Sequence, residues 1–433
     1  MNTQGFQFHY TKIDELPRLA WIAHFKNGNQ STAVEHGPWV ETHPRFFFEG
    51  AWNGDFAAGD APKATVCLGS GGTLAQEGVI FATPSHMLER LHLIRSRDEV
   101  WISNSLPFIL AKTGDSVDPA YKYYHFDLMT NMRGMKRYKR EITTKNGNTV
   151  RLYFHCNVLV KPNLEIIESP KLQFSGFTSF QDYIGFLSSM VSDVYKNSTA
   201  QDRTISYEPL ATISSGYDSP ACAVLAKKIG CKEAVTFSEA RPGYASLDDS
   251  GREIAKLLGL HVTEFDRQEY LRMSSFPEAE FLAYGAGGEE VVFAPLERVL
   301  PGKLFFTGYL GDAVWNKNAP RTNQELLMLY PGGSSFGEFR LRVGFIHFPL
   351  PTVGYIHHPS VYAISNLPEM QPWSIGNLAY DRPIPRRLIE EQGVPRHLFG
   401  QDKKAITQPL WNTEHLDGTM SPTSFRDFSA FTQ

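Results

Sequence analysis

Between residues 209 and 265 the chain alternates short β-prone runs with apolar stretches of helical period, and this alternation limits its fold more than any other feature. Residues 209–213, 234–237 and 261–265 read as strands, and residues 219–229 and 248–258 between them read as helices. Strands separated by helices need crossover connections, which join parallel neighbours. The expected fold class is therefore α/β, a parallel sheet with helices on its faces.

The first strand-to-helix junction carries the clearest chemistry. It reads Thr212-Ile213-Ser214-Ser215-Gly216-Tyr217-Asp218-Ser219. A helix that opens on small residues leaves backbone N–H groups unpaired at the positive end of its dipole, which suits a phosphate. Ser214, Ser215 and Ser219 add hydroxyl donors, and Gly216 permits close backbone approach. Asp218 supplies a carboxylate able to hold magnesium against phosphate oxygens. The competing reading is a serine-rich turn before a helix.

Ser-Ser-Gly-Tyr-Asp-Ser (214–219) resembles the Ser-Gly-Gly-x-Asp-Ser signature of PP-loop ATP pyrophosphatases, with Ser215 in place of the first glycine. Other pieces follow in the order found in asparagine synthetases and β-lactam synthetases. The run Thr307-Gly308-Tyr309-Leu310-Gly311-Asp312, after the apolar Leu304-Phe305-Phe306, is similar to the Thr-Gly-Tyr-x-x-Asp form of β-lactam synthetases. That resemblance implies nucleotide binding at Gly308 and makes Asp312 a second magnesium ligand beside Asp218. It also implies that Ser238, ending Val235-Thr236-Phe237-Ser238, holds the adenine edge through backbone groups. Asp248 and Asp249 resemble the family's acidic start of the next helix, although a plain N-cap accounts for them equally well. The stretch from Asp381 to Gln401-Asp402-Lys403-Lys404 is similar to one that ends in a catalytic lysine, making Lys403 and Lys404 the candidates. An ammonium suits that place because the adenylation transition state gathers charge on phosphate and acyl oxygens. The resemblance spans residues 178 to 410 and implies ATP and Mg2+ as cofactors.

The first part of the chain reads differently. Short β-like runs at 45–48, 64–68, 78–82, 99–102 and 150–160 predict a β-rich layered domain. A capping box at Thr178 and Gln181 then opens a helix whose apolar residues recur from Phe180 to Val194, which divides the chain into domains 1–172 and 173–433. Glutamine-dependent members of the family carry an N-terminal glutamine amidotransferase domain of the Ntn-hydrolase type, with a cysteine nucleophile exposed directly after the initiator methionine. This chain begins Met1-Asn2-Thr3 and has no cysteine before Cys67. Such a nucleophile uses its own α-amino group as base, so an internal cysteine cannot replace it. The resemblance thus implies a degenerate domain without glutaminase chemistry. Gly69 to Gly72 read as a hairpin connection, and Tyr121, Tyr123, Tyr124, His125 and Phe126 as interdomain packing.

A formal charge of -4, with scattered Lys and Arg, argues against a nucleic-acid partner. No apolar run approaches membrane-spanning length, so no membrane partner is expected. The four cysteines lack CxxC spacing and read as reduced thiols in a cytoplasmic protein, and a homodimer stays open. The function expected is an ATP-dependent amide-forming ligase: it adenylates a carboxylate, releases pyrophosphate and passes the acyl group to an amine or ammonia. An intramolecular lactam- or macrocycle-forming synthetase and a catalytically inactive scaffold are the alternatives.

Overall fold

The computed structural model describes residues 6–121, 123–244, 246–283, 287–318, 325, 336–376, 380–410 and 415–432. Up to Pro170 it holds β1 (Gln7–Lys12), β2 (Trp21–Lys26), β3 (Ser31–His36), β4 (Glu41–Thr42), β5 (Phe46–Trp52), β6 (Cys67–Ala75), β7 (Gly78–Ala82), β8 (Leu91–Arg95), β9 (Glu99–Ser103), β10 (Glu141–Thr143), β11 (Thr149–Tyr153), β12 (Cys156–Val160) and β13 (Ile166–Pro170), with the short helices α1 (Leu106–Lys112) and α2 (Tyr124–Leu128) among them. The strands form two sheets, ordered β1-β3-β2-β9-β8-β11-β10 and β13-β12-β7-β6-β5-β4. Neighbours run antiparallel except β1 and β3, which are parallel.

Residues at a period of two explain why the sheets stack. Trp21, Ala23 and Phe25 on β2 and Val100 and Ile102 on β9 share one core with Val79 and Phe81 on β7 and Val158 and Val160 on β12. This confirms a β-rich layered region and corrects three details. The run at 150–160 is two strands in different sheets, with His155 at φ +49° between them. Gly69 to Gly72 form no connection; they lie inside β6 against β5, where a Cβ at Gly71 would stand 2.1 Å from the Phe47 carbonyl oxygen. Tyr123 and Phe126 are 65% and 44% exposed rather than buried in packing, whereas Tyr121 and Tyr124 lie against the core.

The chain then enters α3 (Phe180–Ser198). Its N-cap is Ser179, whose hydroxyl accepts from the Asp182 N–H, while the Thr178 N–H donates to the Asp182 carboxylate. The capping box thus sits one residue beyond Thr178 and closes on aspartate. The buried face carries Phe180, Tyr183, Ile184, Leu187, Val191 and Val194 as expected.

Next come β14 (Glu208–Thr212), α4 (Asp218–Lys227), β15 (Glu233–Phe237), α5 (Arg252–Leu257), β16 (His261–Phe265), β17 (Lys303–Thr307) and β18 (Ile346–Pro349). These five strands form one parallel sheet, ordered β16-β15-β14-β17-β18. Leu304 and Phe306 share a core with α4, and the intervening Phe305 shares another with Val291 to Leu296 of the 3-10 helix Glu289–Arg298. The sheet is therefore covered on both faces, as a parallel sheet requires. Helix α5 starts after Asp248 and Asp249, and its N-cap is Gly251, so neither aspartate caps it. None of the described helices is long and apolar enough to cross a membrane. All four cysteines are buried and none forms a disulfide.

Candidate active site

Parallel strands place the loops that follow them along one edge, and ligands of open α/β sheets bind there. At that edge lies a cavity of about 500 Å³ lined by Ser214, Gly216, Asp218 and Ser219 after β14, by Gly308, Tyr309 and Asp312 after β17, and by Lys403 and Lys404. Three segments distant in sequence thus meet at one place.

The loop after β14 is braced from within. Ser214 Oγ lies 2.9 Å from Ser219 Oγ, and the Gly216 N–H donates to Ser214 Oγ at 3.2 Å. Tyr217 turns into the core, where its hydroxyl donates to the Tyr380 carbonyl at 2.6 Å and accepts from Arg386 at 3.2 Å. The Gly400 N–H donates to the Ser215 carbonyl at 2.8 Å, and a Cβ on Gly400 would stand 2.2 Å from the Tyr217 ring. Tyr217 and Gly400 therefore tie the motif to the segment that carries the two lysines.

Two other glycines set how closely the aspartate-bearing loops approach. A Cβ on Gly308 would stand 2.5 Å from the Ser219 nitrogen, and one on Gly311 would stand 2.5 Å from Asp218 Oδ1. Gly216 has no such demand: its nearest neighbour would be Ser214 Oγ at 3.3 Å. Nor does Ser215 occupy the left-handed region, so serine in place of a glycine there costs no strain.

The charges are uneven. Asp218 Oδ1 is buried without a hydrogen-bond partner among the described residues. Burial, and next the Asp312 carboxylate, push the Asp218 carboxyl up to about 7 against the opposing pull of Lys403 and Arg382. Burial also acts to raise Asp312, but Lys403, donating at 2.8 Å, and Arg382 outweigh it and hold Asp312 below its ordinary value. The Lys403 ammonium, despite burial, is raised by Asp312 and Asp218. Side-chain exposures of 48% for Lys403 and 41% for Asp312 put this pair at the mouth, where solvent weakens it.

Two expected residues lie outside the lining. Ser215 sits behind the loop, donating to Asp249 Oδ1 at 2.8 Å and receiving the Lys404 ammonium at 3.2 Å. Lys404 also donates to the Asp248 carbonyl at 2.5 Å. Ser238 uses both backbone groups internally: its N–H donates to Phe265 and its carbonyl accepts from Asp249. The cavity wall near it is built by Val235, Phe237, Arg241 and Tyr244. Sequence reasoning missed Glu289, Glu290, Phe336 and His347, which also line the cavity. The adjacent acids ahead of the apolar Val291-Val292-Phe293 were the one available signal.

Among the described residues no group of three or more His, Cys, Asp or Glu side chains could hold a metal by itself. Two carboxylates, one with an unpartnered oxygen, instead fit Mg2+, which keeps waters and shares phosphate oxygens with its ligand. The chain matches no protein-family model and no curated protein.

Proposed function

We propose that the chain is an AMP-forming, ATP-dependent amide ligase of the PP-loop type, with an Ntn-hydrolase-like N-terminal domain lacking glutaminase chemistry. One observation carries this reading: Asp218, Asp312, Ser214, Ser219, Lys403 and Lys404, from three separate segments, converge on a single cavity at the carboxyl edge of a parallel sheet.

In the proposed reaction a substrate carboxylate oxygen bonds to the α-phosphorus of ATP. The bond from that phosphorus to the β-bridging oxygen breaks, and pyrophosphate leaves with the electron pair. An amine or ammonia then attacks the acyl carbon, loses a proton and displaces AMP. Ser214, Ser219 and the first amides of α4 bind the departing diphosphate. Asp218 and Asp312 would hold Mg2+, whose charge would offset that of the diphosphate. Lys403 orients Asp312 and, with Lys404, places positive charge beside the α-phosphate. Val235 and Phe237 supply an apolar wall for the adenine. No nucleic acid or membrane takes part, and the proposed compartment is the cytoplasm.

The test is incubation of the protein with ATP, Mg2+ and a panel of carboxylic acids while AMP, ADP and ATP–pyrophosphate exchange are followed. Exchange and AMP that depend on one acid support the ligase; ADP as the nucleotide product contradicts it.

A further inference from the structure

The cavity lining holds a second pair of acids. Glu289 and Glu290 open the 3-10 helix Glu289–Arg298, which packs on the sheet face opposite α4, and both side chains line the cavity. They are 2% and 5% exposed. Glu290 Oε2 has no hydrogen-bond partner among the described residues. A buried carboxylate without a partner is costly, and a second acid next to it makes the ionised form costlier still. Burial, and then the charge of Glu289, push the Glu290 carboxyl well above the carboxylate range.

The lysines of the cavity do not answer this charge. Lys403 is bonded to Asp312, and Lys404 to Ser215 and Asp248, while Arg241 lies over the Tyr244 ring. The surrounding wall is aromatic instead: Phe293 and Phe336 meet edge to face at 5.2 Å, and Phe336 meets His347 at 4.7 Å. Aromatic faces beside an acid favour an organic cation.

We infer that Glu290, with Glu289 beside it, receives a primary ammonium group carried by the small-molecule substrate. Calling that molecule a substrate rests on the ligase reading; binding of the cation does not. An ammonium between Glu290 and the aromatic wall supplies the hydrogen-bond donor that no described residue gives Glu290 Oε2, and a neutral or anionic analogue leaves the acid unmatched.

Calorimetric titration of the full chain with butylammonium, butanol, butyrate and Mg2+ tests this directly. Butylammonium is expected to bind, butanol and butyrate are not, and Glu290→Gln should weaken butylammonium about tenfold or more. Glu289→Gln, which keeps Glu290, should weaken it by a smaller factor. The melting temperature of each unliganded variant verifies that it is folded. Absence of butylammonium binding, equal binding of butanol, or an affinity unchanged in folded Glu290→Gln overturns the inference. So does Mg2+ binding that disappears in Glu290→Gln while butylammonium binding remains. ATP binding to the unaltered protein is titrated separately: its absence beside intact ammonium binding removes the ligase reading and leaves the cation site standing.

Discussion

Glu49 and Asp218 are both acids placed within the folded chain, and their surroundings are opposite. Glu49, 1% exposed at the junction between the N-terminal sheets and the helix Gly337–Val343, accepts from Arg340 at 2.8 and 3.1 Å, from the Ser70 N–H and hydroxyl, and from Asn104. Arg340 also pairs with Glu89 at 2.7 Å. Asp218 keeps one carboxylate oxygen unpartnered among the described residues and faces another acid. The difference separates a charge matched across two parts of the molecule from a charge that the described residues leave unmatched.

Breaking the matched charge should have the largest effect. Arg340→Leu leaves Glu49 and Glu89 buried without their cation, and chemical denaturation should show a loss of about 3–5 kcal/mol. An unchanged midpoint would mean that the junction does not depend on this network.

Neutralising the open charge should have the reverse sign and a smaller size. Burial and Asp312 raise Asp218 from 3.8 to about 7, so the folded state favours its protonated form. The stability contributed by that proton is present below about pH 4 and is lost as pH rises through about 7. Asp218→Asn should therefore match the unaltered chain at pH 4 and exceed it at pH 8 by about 1–3 kcal/mol. A gap that does not change with pH would show that Asp218 is not strained by its surroundings.

What could be read from the sequence follows the same division. The sheet core was legible because its signals are local: the strand at 261–265 and the buried face of α3 follow from apolar spacing. β18 was not legible, since Ile346–Pro349 is four residues long and runs straight into Leu350-Pro351. The loop after β14 was visible as a run of small residues before a helix. Glu290, Phe336 and His347 lie in separate segments without a shared pattern, and only the fold places them around one space. Ser238 was misplaced because a strand end looks free in sequence, whereas its amide and carbonyl are taken by β16 and by Asp249. Asp248 and Asp249 look like caps for the same reason; the Asp249 carboxylate instead accepts from the Ser215 hydroxyl, and the Asp248 carboxylate accepts from the Ser250 N–H, ahead of the N-cap Gly251.

The most direct test of the account is a titration of ATP into the unaltered chain and into Asp218→Ala, with and without Mg2+. ATP should bind the unaltered chain more tightly with Mg2+ than without it, and that strengthening should be absent in folded Asp218→Ala. Equal Mg2+-dependent binding by both proteins would contradict it.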